Sequence, residues 1–331
     1  MNSSGSGQLP MFPHPYPGES FYSVLCRYHQ RSCNKTSGYT MNQLFGKSRR
    51  ISSTLLTPFR LYEVSHWVSP GSTITPAGML MKNTAFPLIK ISIPDLMIQE
   101  HSQVAVSGKS ARASSERSYI SISRYQRTVL NTSRALRYCP ECARIQKKLY
   151  GETYWQVLPQ VQGVEYCPEH KCPIIATRVT IDDIHHIFYP ASDIISAGME
   201  KRVVFDEWQR LALHNKDFFI HLSEGIEWIF NNPQNTGNVR TLCRGYRATA
   251  GLKHPYDCYL WPFTKLEQRI RLSVPAELAD YVIQDNSKYL SEGWDNNLGQ
   301  HLALYKIPFG LHVMNMACIT DSPESFYRTA V

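Results

Sequence analysis

Apolar residues recur at helical spacing along much of this chain. Phe21, Val24, Leu25 and Tyr28 fall at i, i+3, i+4 and i+7, the stripe of a helix that buries one side. The pattern predicts a helix starting at Glu19. Before it, Phe12-Pro-His-Pro-Tyr-Pro-Gly is stiff and extended, because proline fixes φ and disfavours helix in the residue preceding it. A polar break over Cys33–Tyr39 follows, and Thr40 is placed to cap a short second helix through Phe45. Residues 51–103 alternate short apolar runs with prolines and read as short helices and loops. Helical spacing returns over Asp206–Phe230 at Trp208, Leu211, Phe218, Leu222, Ile226 and Ile229. Gln234–Gly237 reads as a loop. Val239–Tyr259 reads as a short basic helix with a turn at Gly245. Pro275 opens a helix whose buried face is Leu278, Tyr281 and Val282, and Trp294–Val331 is again helix-like.

The expected fold class is therefore mainly α. Residues 1–10 read as a flexible tail or cloning scar. Residues 11–130 form an N-terminal helical domain containing a helix-turn-helix, and residues 131–180 a small metal-binding module. Residues 181–331 form a helical domain with a candidate second helix-turn-helix. No run is long and apolar enough to span a bilayer. With no secretory signal in view, the expected compartment is the cytoplasm, where the nine cysteines stay largely reduced.

That redox setting changes the reading of Cys139-Pro-Glu-Cys142 and Cys167-Pro-Glu-His170, which are separated by 24 residues. Two matched pairs, each with two intervening residues, supply the four ligands of a closed tetrahedral Zn²⁺ site. Cys172 competes with His170 for the fourth position, and the mirrored spacing favours His170. A closed site leaves no position for water or substrate, so one structural zinc is expected, in a small ribbon whose knuckles sit at tight turns. Lys147, Lys148 and Lys171 are near enough in sequence to offset the negative charge of three thiolates.

The formal net charge is +8, and residues 104–150 carry ten cations against two anions. Such a surplus suits a polyanionic partner. Helix, break, helix with basic residues nearby is compatible with a DNA-binding helix-turn-helix. The candidate DNA contacts are Arg27, Arg31, Lys35, Arg49 and Arg50 near the first helices. Lys109, Arg112, Arg117, Arg124 and Arg127 lie in the basic stretch, and Arg240, Arg244, Arg247 and Lys253 in the later basic segment. Enzyme signatures are missing. No His-x-Glu of a zinc deaminase occurs. Gly108-Lys109-Ser110 lacks the leading glycine of a phosphate loop, since Gln103 stands there. There is also no G-x-S-x-G elbow. No catalytic residue is expected.

The N-terminal block Phe12-Pro-x-Pro-Tyr-Pro-x-Glu19-x-x-Tyr22-Ser23, with Arg27, Tyr28 and Leu44-Phe45-Gly46, resembles the opening of TniQ/TnsD proteins. Arg137-Tyr-Cys-Pro-Glu-Cys142, Tyr150-Gly-Glu-x-Tyr-Trp-Gln156 and Pro159-x-x-x-Gly-Val-x-Tyr-Cys-Pro-Glu-His170 resemble that family's zinc block. The resemblance covers most of residues 11–175 and loosens beyond about 180. It implies a non-enzymatic target selector of a Tn7-like transposition system. Such a protein recognises double-stranded attachment-site DNA and recruits a TnsC-type AAA+ ATPase, which brings in the transposase. The alternative is an adaptor that links a CRISPR RNA-guided effector complex to that regulator. The chain ends in what reads as continuing helix, and the resemblance leaves two readings open, a C-terminally truncated TnsD-type chain or a naturally shorter member of the family.

Overall fold

The computed structural model describes residues 9, 11–46, 61–69, 71–93, 95–108, 134–185, 187–200, 207–249, 263–290 and 309–329. These residues are mainly helical. In chain order they form α1 (Phe21–Arg31), α2 (Ser37–Phe45), α3 (Val64–Trp67), α4 (Pro76–Lys82), α5 (Phe86–Ile89) and α6 (Asp95–Ser107). Strand β1 (Ala135–Tyr138), α7 (Pro140–Tyr150) and β2 (Ile175–Thr180) follow. The rest is α8 (Ala191–Ser196), α9 (Glu207–His214), α10 (Lys216–Asn231), α11 (Pro233–Thr236), α12 (Val239–Thr249), α13 (Phe263–Ser273), α14 (Ala276–Leu290), α15 (Phe309–Ile319) and α16 (Pro323–Thr329). The two strands pair antiparallel, with Arg137 opposite Ala176 and Tyr138 opposite Ile175.

Helix α1 starts two residues later than its periodicity predicts. Ser20 is the N-cap, and its hydroxyl accepts from the Ser23 amide, which satisfies one of the first-turn donors. The predicted stripe of Phe21, Val24, Leu25 and Tyr28 is buried. So are Tyr22, Ser23, Cys26 and Arg27, so α1 is not the one-sided surface helix that its spacing suggests. The reason is a second layer on its far side. The Trp155 amide donates to the Ser23 hydroxyl, the Ser20 amide to the Trp155 carbonyl, and the Tyr189 amide to the Tyr22 hydroxyl.

The cap of α2 also differs from expectation. Thr36, not Thr40, caps it, accepting from the Tyr39 amide. Thr40 sits one turn further in, fully buried, with its hydroxyl 2.7 Å from His29 Nδ1 and 2.9 Å from Asn34 Nδ2. These bonds tie the turn to both helices.

One buried apolar cluster runs from Phe21 to Tyr327 and includes residues of α1, the metal block and the C-terminal helices. Helix α10 is one junction: Leu222, Ile226 and Ile229 are buried, as their spacing predicts, while Phe219 and not the expected Phe218 completes the buried face, Phe218 being only partly buried. Gly163 packs against it. At φ +93° a Cβ there would come within 3.0 Å of Ile226 Cδ1, so both backbone conformation and space call for glycine. The expected turn at Gly245 is absent. Gly245 lies inside α12, and a Cβ there would sit 2.4 Å from the Phe326 ring. Glycine is needed there for the approach of α16, not for a change of direction.

Candidate functional site: a metal centre and the elements it joins

The two predicted ligand pairs meet in space. Cys139, Cys142, Cys167 and His170 bring their ligand atoms within 4.8 Å of one another. Cys142 Sγ is 3.8 Å from Cys167 Sγ. His170 Nδ1 is 3.7, 3.3 and 3.4 Å from the sulfurs of Cys139, Cys142 and Cys167. A tetrahedron built on the usual zinc–sulfur and zinc–nitrogen bonds has edges of roughly 3.5–3.8 Å. The donor set fits that ion in both chemistry and spacing, and a metal bound there would cross-link the elements that carry the ligands. Cys172 lies at the margin, with its sulfur 3.4 Å from that of Cys139.

The local architecture is not the expected pair of ribbon turns. Only the second pair sits in a turn, where Lys171 takes a left-handed φ of 54° and its amide bonds the Cys167 carbonyl. The first pair opens a helix. Cys139 is the N-cap of α7, and its sulfur accepts from the Cys142 amide at 3.3 Å. In the second pair the His170 amide points at the Cys167 sulfur at 3.4 Å. Thiolates at a helix N-terminus meet unsatisfied amides and the positive end of the helix dipole. Hydrogen bonds from the Cys139 and Cys142 thiols further hold the Cys167 thiol well below its ordinary range. The predicted role of Lys171 in offsetting the thiolates is not seen, because its ammonium pairs with Glu224 of α10. That ion pair instead joins the knuckle to α10.

At the other end of α7 lies a charged and aromatic knot. Glu152 accepts from Arg27 Nε at 2.9 Å, from Arg31 Nη2 and from the Tyr16 hydroxyl at 2.9 Å. Arg27 also donates to Glu19 Oε2 at 2.7 Å and to the His14 carbonyl. Its guanidinium carbon stands 3.7 Å over the Tyr16 ring, a cation–π contact. Tyr16 in turn stacks on Tyr150 with ring centroids 4.2 Å apart. Burial pushes the Glu19 carboxyl up to about 7, with Arg27 and the Tyr16 amide pulling against that rise. The proline-rich opening is thus fastened to α1 and to the metal block at once.

This knot corrects one predicted DNA contact. Arg27 is 3% exposed and cannot reach a phosphate, because its donors are already turned inward. Arg31 is partly exposed and paired with Glu152. Lys35 stands exposed in the α1–α2 turn. Arg244 is exposed on α12, the helix that also carries Arg240 and Arg247. Arg49, Arg50, Lys109, Arg112, Arg117, Arg124, Arg127 and Lys253 lie outside the described residues. The basic count of residues 104–150 also overstates their outward charge. Arg137 is buried, with Nη1 3.0 Å from both Glu165 carboxylate oxygens and further bonds to the Pro159 and Val161 carbonyls.

The motif blocks and the paired ligands fall together in one segment. Residues 10–174 match the TniQ family. Through that segment the chain belongs to the TniQ family. It is also 24% identical over 185 residues to the transposition protein TnsD of transposon Tn7 from Escherichia coli. That match takes in 54% of this chain and 34% of the relative, so it spans about a third of the relative's length. The TniQ segment holds α1 to α7 and all four candidate metal ligands. Its end at residue 174 falls just before β2. Among the described residues no helix is long and apolar enough to cross a membrane.

Proposed function

We propose that this TniQ-family chain is a target-selection adaptor for transposition. In this reading it docks on duplex DNA and presents a protein surface to a TnsC-type AAA+ ATPase, which brings in the transposase. It performs no bond-making or bond-breaking step. The observation that carries the reading is the TniQ match over residues 10–174 together with similarity to a transposition protein. The metal cluster supports it: three sulfurs and one nitrogen in a closed set suit a structural ion, not a water-activating one.

Helices α1 and α2 supply the helix-turn-helix of this proposal. The exposed residues of α2 are Gly38, Tyr39, Asn42 and Gln43, with Lys35 just ahead of it. Amide and phenol groups of this kind can contact base edges and phosphates. Arg27 has no part in this contact and acts as an internal brace.

The test is binding of the purified chain to attachment-site duplex and to scrambled duplex, with and without the ATPase. Preference for the attachment site and a ternary complex with the ATPase support direct selection. Association with a CRISPR effector and no affinity for free duplex would replace it with the adaptor reading.

A further inference from the structure

Helix α7 has two sharply different sides. Cys142, Ala143 and Gln146 face inward and are buried, while Arg144, Lys147 and Lys148 are exposed. Residues at i, i+3 and i+4 are neighbours on a helix surface, so these three cations share one outward face. Arg144 is paired with Glu141, one turn back. Lys147 and Lys148 have no ion-pair partner among the described residues. Beyond them the helix ends in exposed Leu149 and half-exposed Tyr150.

The fold sets a second basic element at the same end. Arg31, the last residue of α1, pairs with Glu152, two residues past α7. Tyr150 stacks on Tyr16, and Tyr16 lies under Arg27 of α1. The α1–α2 turn, which carries exposed Lys35, starts directly after Arg31. Two lysines on one helix face and a third on the turn that follows Arg31 complement a regularly charged polyanion. Cations in a last helical turn also offset the helix dipole, but that role does not explain Lys35.

We propose that the outer face of α7, through Lys147 and Lys148 and joined by Lys35 of the α1–α2 turn, docks on the phosphate backbone of duplex DNA. This rests on the DNA-binding reading above and adds to it two α7 lysines that lie outside the helix-turn-helix. Because Cys139 and Cys142 form the first turn of α7, the metal would fix the direction in which these cations project. The contacts go to phosphates, so they position the protein and carry no base preference.

The test is the salt dependence of binding to a labelled duplex by fluorescence anisotropy, between about 50 and 200 mM salt. A Lys147→Ala/Lys148→Ala variant should lower the slope of log affinity against log salt by about two, since each phosphate contact contributes about 0.9. Lys147→Arg/Lys148→Arg should keep the wild-type slope. Arg210→Ala/Lys216→Ala, which removes exposed cations of α9 and α10, should also keep it. An unchanged slope in the double-alanine variant, or an equal fall in the α9–α10 variant, would overturn this surface and leave the DNA-binding reading standing. A wild-type chain that binds no duplex at about 50 mM salt would overturn both.

Discussion

Arg27 Nη1 lies 2.7 Å from Glu19 Oε2, and neither side chain reaches more than 4% exposure. A buried pair of this kind adds little when compared with apolar packing, but removal of one partner leaves the other stranded. Arg27→Ala should cost about 3–5 kcal/mol of stability, read as a lower urea midpoint. The folded variant should keep the wild-type salt slope for duplex binding. A stable variant with a flattened slope would return Arg27 to the DNA contacts.

The metal cluster predicts linked loss of ion and structure. Cys139→Ser and Cys167→Ser should each release zinc and loosen α7 and the knuckle, because metal binding of this type is coupled to folding. Metal content by mass spectrometry and hydrogen exchange over 135–180 check this. Stoichiometric zinc in both variants would sink the ligand assignment.

His101 sets a pH dependence. It is buried against Phe86, its Nε2 has no hydrogen-bond partner among the described residues, and burial lowers it to about 4. The unfolded chain takes up that proton near 6.5, so stability is fully present above about 6.5 and falls as pH drops toward about 4. The whole swing amounts to about 3 kcal/mol. Glu19 acts in the opposite sense: its raised carboxyl, near 7, favours the folded state at low pH and loses that contribution as pH rises. The difference between wild type and His101→Phe isolates the histidine. That difference should grow between pH 6.5 and 4; a flat difference would show that His101 does not titrate with folding.

Gly245 offers a packing test with two opposed terms. Alanine raises helix propensity by about 1 kcal/mol over glycine. Its Cβ would meet the Phe326 ring at 2.4 Å, and overpacking costs about 1–3 kcal/mol. Gly245→Ala should therefore lower the melting temperature. A rise would mean that α16 moves aside freely.

What was legible in the sequence follows the range of the interaction. The stripes at Phe21–Tyr28 and Trp208–Ile229 and the ligands Cys139, Cys142, Cys167 and His170 are local patterns, and the structure brings the four ligands together. Arg27 reads as a surface cation beside Arg31 because its partners Glu19 and Glu152 are decided by tertiary packing. Gly245 reads as a turn because the residue that requires it, Phe326, is 81 positions away. Thr40 reads as a cap until Thr36 takes that place. The basic face of α7 had a detectable signal in the spacing of Arg144, Lys147 and Lys148. It was hidden in a charge count that treated buried Arg137 and exposed Lys148 alike.

The most direct test of the adaptor account is co-elution of the zinc-loaded chain, attachment-site duplex and TnsC-type ATPase in size-exclusion chromatography at low salt. The account predicts a ternary peak that depends on the chain and weakens as salt rises. A chain that elutes alone, apart from both DNA and ATPase at every salt concentration, would contradict it.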